Sequence, residues 1–296
     1  MRKVIEEDLR VIEENLYRIT DSKAIKDVQR LGGLTNHTYK VEIEDASYLF
    51  RLPGEGTEEI IDRADEKKST ELACKLGIDT KLYYFGEDGL KIMDYISNPV
   101  TMSPDSMRKE ENIQAAAELL YRLHNCGENT GVPFEVFEMA AEYERFIEKN
   151  QVPLYEDYGQ IKEKVRKIKA ELDTEEITLV PCHNDPLCEN WIRDRERMYL
   201  VDWEYAGMND PMWDLADVSI EGHYTRKEDD LLLQTYRGRS LSAADRHRFV
   251  ANKIYLDYLW TLWGKTRVPF DGKEMEDYAE ERYRRLKKNL EMFGTL

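Results

Sequence analysis

The spacing of apolar and polar positions divides the chain into a short mixed α/β stretch and a long helical one. Residues 4–19 carry Ile5, Leu9, Ile12, Leu16 and Ile19 three and four apart, which predicts an amphipathic helix. Three short strands are predicted next, over residues 25–31, 38–44 and 47–52. Between the first two lies Gly32-Gly33-Leu34-Thr35-Asn36-His37, a turn rich in residues that tolerate unusual backbone angles. A polar helix over residues 57–76 follows, closed by Gly77. Strands over 82–85 and 90–95 then flank the turn Gly86-Glu87-Asp88-Gly89. This order predicts a small antiparallel sheet carrying one helix.

Beyond Asn98-Pro99 the period changes to a helical one. Helices are predicted over residues 112–123, 137–150 and 158–172, and almost continuously from 211 to the end. The interruption is a β-rich island over residues 178–202. The fold class expected is α+β and bilobal: an antiparallel-sheet lobe over residues 1–95 and a larger, mostly helical lobe over 96–296. Such a division would put a ligand cleft between the lobes.

Composition narrows the function. With 41% hydrophobic and 35% charged residues among 296, the chain reads as globular and water-soluble. The balance of 43 Lys and Arg against 60 Asp and Glu, a formal charge of -17, argues against a nucleic-acid partner. Most of that acidity reads as a solvated surface, although acid reaching an active cleft would suit a cationic substrate. The charged N-terminus has neither a leader nor a spanning pattern, so no membrane insertion is expected. The cysteines Cys74, Cys126, Cys182 and Cys188 form no CxxC, which suggests reduced thiols and a cytoplasmic location. Cys182, His183 and Cys188 fit no zinc spacing, and buried thiols are the better reading.

The sharpest chemical signal lies in the β-rich island. His183-x-Asp185, with Asn190 five positions later, has the spacing of a phosphotransferase catalytic loop, and the apolar run Met198-Tyr199-Leu200-Val201 ends in Asp202. The turn Asp194-Arg195-Glu196-Arg197 predicts a hairpin that sets Asn190 opposite Asp202. An amide oxygen and a carboxylate converging there suit Mg²⁺. Asp185 would accept the proton of an attacking hydroxyl. Singly, Asp185, Asn190 and Asp202 read as turn residues; together they favour catalysis.

A nucleotide site is expected upstream. No Gly-x4-Gly-Lys-Ser/Thr occurs, which excludes a P-loop. The Gly32–Asn36 turn would instead cover phosphates with its backbone N–H groups and the Thr35 and Asn36 side chains. Arg51, ending the third strand, takes the position of a phosphate-contacting cation. Glu66 on the next helix is its expected ion-pair partner, with Glu71 as the alternative.

These residues carry a resemblance. The chain resembles the choline/ethanolamine kinases, in the aminoglycoside-phosphotransferase-like group of the protein-kinase-like fold, and is most similar to bacterial choline kinases. The resemblance spans nearly the whole chain. It rests on Leu31-Gly-Gly-Leu-Thr-Asn36, Gly54-Glu-Gly-Thr-Glu58, Cys182-His-Asn-Asp185 with Glu189-Asn190, Val201-Asp-Trp-Glu-Tyr-Ala-Gly207, Asn209-Asp-Pro-Met-Trp-Asp-Leu-Ala216 and Leu259-Trp-Thr-Leu-Trp263. It implies Asp185 as catalytic base supported by His183, Asn190 and Asp202 as Mg²⁺ ligands, and Asp214 as a brace of the catalytic loop. Met93-Asp94-Tyr95 would be the inter-lobe hinge that meets adenine. Bacterial members tend to carry Lys where this chain has Arg51.

An acceptor with a quaternary ammonium must be held by aromatic faces and negative charge. Trp260 and Trp263 share one helix face, Tyr278 follows on the next helix, and Glu221 would supply charge. The resemblance places these four in the choline pocket; Tyr224 is a looser candidate. In an apolar helix such aromatics are more often core, and the catalytic motif tips the reading toward a cage. The expected reaction is ATP + choline → phosphocholine + ADP, with Mg²⁺. The alternatives are ethanolamine kinase, another aminoglycoside-like hydroxyl phosphotransferase, and a non-catalytic ATP-binding module.

Overall fold

The computed structural model describes residues 5–21, 24–32, 36–54, 62–172 and 177–294. Backbone packing divides the chain into two units, Met1–Met102 with Glu189–Ala206, and Ser103–Cys188 with Gly207–Leu296.

In the first unit, five strands form an antiparallel sheet: β1 (Asp27–Gly32), β2 (His37–Glu42), β3 (Ser47–Leu52), β4 (Leu82–Phe85) and β5 (Lys91–Asp94), in the order β1-β2-β3-β5-β4. The apolar stripe of α1 (Glu6–Leu16) is buried through Ile12 and Leu16 against Tyr39, Val41, Phe50 and Ile92 of the sheet. Helix α2 (Arg63–Lys75) starts where Asp62 accepts the N–H groups of Ala64 and Asp65, and ends just before Gly77, whose φ of +63° is the left-handed geometry of a helix stop. The first six residues of the helix expected over 57–76 lie, apart from Asp62, outside the described residues.

The β-rich island contributes to both units. Strand β6 (Val100–Thr101) pairs with β8 (Trp191–Arg193), and β8 with β9 (Met198–Leu200). The Leu200 N–H also donates to Ile78 O at 3.2 Å. These long-range bonds group residues 189–206 with the sheet unit, whereas local periodicity assigned them to the helical part, and they extend that unit from residue 95 to 102.

The second unit contains α3 (Pro104–Met107), α4 (Glu110–His124), α5 (Val136–Lys149), α6 (Tyr158–Leu172), α7 (Pro211–Glu221), α8 (Arg226–Arg237), α9 (Ala243–Asp271) and α10 (Lys273–Phe293). The ribbon β7 (Val180–Cys182) with β10 (Gly207–Asn209) completes it. Helix α9 is the central element and packs on α5, α7 and α10. Leu256, Leu259 and Leu262 of α9 and Leu286 of α10 are fully buried. No helix among the described residues is long and apolar enough to cross a membrane.

Candidate active site

In the first unit the site is built on the pairing of β3 with β5, which sets Arg51 directly opposite Lys91. Two cations side by side repel one another, so an anion must lie between them. Glu66 of α2 supplies it: its Oε1 accepts from Arg51 Nη2 at 2.5 Å and from Lys91 Nζ at 2.7 Å, and its Oε2 accepts from Arg63 Nη1 at 2.7 Å. Burial pushes the Glu66 carboxyl up, but the Lys91 and Arg51 charges and the hydrogen bonds override it and hold it at about 2. Gly89 leaves room for the arrangement, since a Cβ there would lie 2.6 Å from Arg63 Nε. Glu71, the alternative partner for Arg51, is exposed.

The other guanidinium nitrogen of Arg51 turns to the hairpin, with Nη1 3.0 Å from Asp202 Oδ1 and 3.8 Å from Glu204 Oε2. Asn36 donates to the same Glu204 oxygen at 3.3 Å. Burial first, then the charge of Asp202, pushes Glu204 up to about 7. Donor atoms of Glu66, Asp202 and Glu204 lie within 4.8 Å of one another. Glu66 already serves three cations, whereas Asp202 is 39% exposed and shares Arg51 with Glu204. Two hard-oxygen carboxylates with one shared cation fit a divalent ion such as Mg²⁺.

The hairpin register differs by one residue from that expected. Asp194 Oδ1 accepts the N–H groups of Glu196 and Arg197, and Asp194 N–H donates to Arg197 O, closing a two-residue turn. Trp191 therefore faces Leu200, and the Asn190 carbonyl accepts from the Val201 N–H. Asn190 is thus opposite Val201 rather than Asp202, which lies one step further with a left-handed φ of 71°. Asn190 ends a 3₁₀ turn, Cys188–Asn190, instead of opening a strand. Met93 is buried in β5, and the Tyr95 N–H donates to Ser47 O. Thr35, the remaining nucleotide candidate, lies outside the described residues.

In the second unit, β7 delivers His183, Asn184 and Asp185 into a loop whose backbone is held from α7. Asp214 is fully buried; its two oxygens accept the N–H groups of His183 and Asn184, each at 2.8 Å. His124 Nε2 lies 3.0 Å from the same carboxylate. Asn184 takes a φ of 67°, secured by Asn209 on its side chain and Trp213 Nε1 on its carbonyl. That bend leaves Asp185 half-buried beyond the braced loop, with its N–H on His183 Nδ1. Asp214 sits in the first turn of α7, where the helix dipole favours a carboxylate.

The acceptor candidates also converge. The Trp260 and Trp263 rings are 6.0 Å apart and nearly perpendicular, and Trp263 meets Tyr278 edge-on at 5.7 Å. Gly264 permits the approach of α10, because a Cβ there would be 2.9 Å from the Tyr278 ring. Trp260 is buried, whereas Trp263 and Tyr278 are half-buried. Glu221 is not free: Arg282 Nη2 donates to it at 2.6 Å and the same guanidinium lies over the Tyr278 ring. Tyr224 is turned away, its hydroxyl donating to Met107 O. Asp217, one turn before Glu221, has no exposed surface.

Sequence reasoning missed Lys91, Arg63, Glu204, Asp217 and Arg282. Signals existed for two: Lys91 begins an apolar strand, and Asp217 interrupts the apolar run of α7. Arg63 and Arg282 read as ordinary helix-face charges. All four cysteines are free, and Cys182 and Cys188 are buried.

Comparison with known proteins identifies the family. A family model described as choline/ethanolamine kinase matches residues 28–283. Protein LicA of Haemophilus influenzae is 28% identical over 264 residues, covering 85% of this chain and 76% of that protein. The choline kinase LicA of Streptococcus pneumoniae superposes with a TM-score of 0.82 at 32% identity, over 97% of this chain and all of the other. A LicA structure in complex with AMP gives 0.77 at 30% identity, covering 96% of this chain and 98% of that one.

Proposed function

The chain belongs to the choline/ethanolamine kinase family, small-molecule kinases of the protein-kinase-like fold, and we propose that its own reaction is ATP + choline → phosphocholine + ADP. The observation that carries the choice of acceptor is the wall of Trp260, Trp263 and Tyr278 beside the acidic side chains of α7. A quaternary ammonium offers no N–H to bond, so ring faces and carboxylates are what hold it.

In this reading Asp185 takes the proton of the choline hydroxyl as its oxygen attacks the γ-phosphorus in line. Asp214 and His183 fix the loop that presents Asp185. Arg51, kept in place by Glu66, contacts the phosphates, and Lys91 neutralises the buried side of Glu66. Asn36 covers the phosphates; Met93 and the Tyr95 N–H are engaged within the sheet, by Leu49 and Leu82 and by Ser47. Asn190 and Asp202 would hold Mg²⁺, with Glu204 as a further carboxylate; the ion supplies charge neutralisation for the phosphate oxygens. A cytoplasmic location fits the ATP requirement and the free thiols.

Ethanolamine is the second reading, favoured by the carboxylates of Asp217 and Glu221, which would accept bonds from a primary ammonium. A bulky aminoglycoside fits less well where tryptophans line the site. A non-catalytic module would not need the full set of Asp185, Asn190 and Asp202. ADP release measured with choline, ethanolamine, a sugar-alcohol panel and kanamycin decides between them. Choline should give the largest kcat/KM; turnover of kanamycin alone, or of nothing, refutes the proposal.

A further inference from the structure

Helix α7 places Asp214, Asp217 and Glu221 three and four apart, hence on one face. Asp214 is satisfied by two backbone N–H groups and Glu221 by Arg282. Asp217 is different. It has no exposed surface, and neither of its oxygens has a hydrogen-bond partner among the described residues. Most buried polar groups are hydrogen-bonded, and a buried carboxylate without a partner is among the costliest exceptions.

The groups around it explain why it lacks a counter-charge. Asp185 faces it from the loop after β7, Asp214 and Glu221 from its own helix, and Arg282 and Tyr278 from α10. Arg282 is shared with Glu221 at 2.6 Å and with Asp257 of α9 at 3.7 Å. Asp257 is otherwise held by Arg285, His124 of α4 is bonded to Asp214 and Tyr236, and Asp229 of α8 is paired with Lys253. Asp217 and Glu221 thus face one shared guanidinium, with Asp185 adding a further negative charge beside Asp217. Desolvation first, then Glu221 and Asp185, pushes the Asp217 carboxyl well above the usual range.

Given the acceptor site proposed above, we propose that Asp217 is a proton-exchanging binding residue: it is a neutral acid while the site is empty and ionises when the acceptor's cation arrives. The carboxyl O–H bond breaks, the proton passes to solvent buffer, and the carboxylate stays as counter-ion to the ammonium. No bond to the acceptor forms. The bound cation supplies the positive charge that Arg282, already held by Glu221, does not provide to Asp217, and a nearby opposite charge favours the ionised form. Acceptor affinity therefore strengthens as pH rises, approaching tenfold per pH unit while Asp217 is protonated in the free protein and ionised in the complex. The aromatic cage explains affinity for a cation; Asp217 adds its dependence on pH.

Isothermal titration of the full chain with choline, near neutral pH in buffers of different ionisation enthalpy, counts the protons released. The wild type should release close to one proton per choline bound. Asp217→Asn, close in shape to the neutral acid, should release close to none and bind choline with the same Kd at every pH from slightly acid to slightly alkaline. Glu221→Gln removes a charge that keeps Asp217 neutral and leaves Arg282 available to it, so it should release fewer protons than the wild type. Choline binding to the wild type with no buffer dependence overturns the proposal, as does undiminished release from Asp217→Asn; both leave the choline reading intact. A wild type that gives no choline heat refutes the choline reading and this proposal with it.

Discussion

Glu66→Gln tests the cation cluster of the first unit most directly. The substitution keeps the size of a side chain with no exposed surface and removes the charge shared by Arg51, Arg63 and Lys91 at 2.5–2.7 Å. Removing one partner of a buried ion pair costs about 3–5 kcal/mol, because the remaining charges are left uncompensated. The depressed Glu66 pKa leads to a similar size by a separate route. A carboxyl held at about 2 instead of 4.5 is worth roughly 3 kcal/mol. This stabilisation is present above the unfolded value of 4.5 and is lost as pH falls toward 2. Calorimetry at neutral pH should show the melting of the variant lowered by on the order of 10 °C. Lys91, whose pKa is already lowered first by burial and then by Arg51, offers an internal control. It should deprotonate more readily in the variant, so part of the loss should return at alkaline pH. Adding Lys91→Met to Glu66→Gln should likewise cost less than the sum of the single losses. A fall of under about 1 kcal/mol in the single variant, or strict additivity in the double one, would refute the reasoning.

Three further outcomes follow from the rest of the site. Asp185→Asn should melt like the wild type and lose about 10²–10⁴-fold in kcat, measured by ADP release; near-full turnover would remove Asp185 as the base. Trp263→Ala should raise the choline KM several-fold or more, as loss of a cation–π contact of ~0.5–2 kcal/mol requires, and leave the ATP KM nearly unchanged. Equal effects on both would return Trp263 to the core. Asp214→Ala strands two buried backbone N–H groups and should cost roughly 2–6 kcal/mol, lowering both the melting temperature and kcat; a loss in kcat with unchanged stability would contradict the brace.

What local pattern determined was substantial. The period of Ile12 and Leu16 specified α1, the short strand runs specified most of the sheet, and the spacing of His183, Asp185, Asn190 and Asp202 marked the chemistry. Those signals survive in one dimension because each depends on neighbours a few residues away. The single-residue error in the hairpin was one of register: the turn over residues 194–197 aligns Arg193 with Met198, and therefore Asn190 with Val201 rather than Asp202.

The tertiary structure decided everything that depends on partners far along the chain. Sequence could name Arg51 and Glu66, but it could not show that Lys91 and Arg63 share the same carboxylate, since residues 51, 63, 66 and 91 meet only when β3, β5 and α2 pack. It could offer Glu221 as a free charge; α10 then brings Arg282 to neutralise it. Asp217 is the clearest case. In the sequence it is one acid among 60 Asp and Glu, and folding gives it meaning by burying it without a partner beside Asp185 and Glu221. Hydrophobic period is a local property, whereas charge compensation is a property of the packed interior, where low dielectric makes each uncompensated group count.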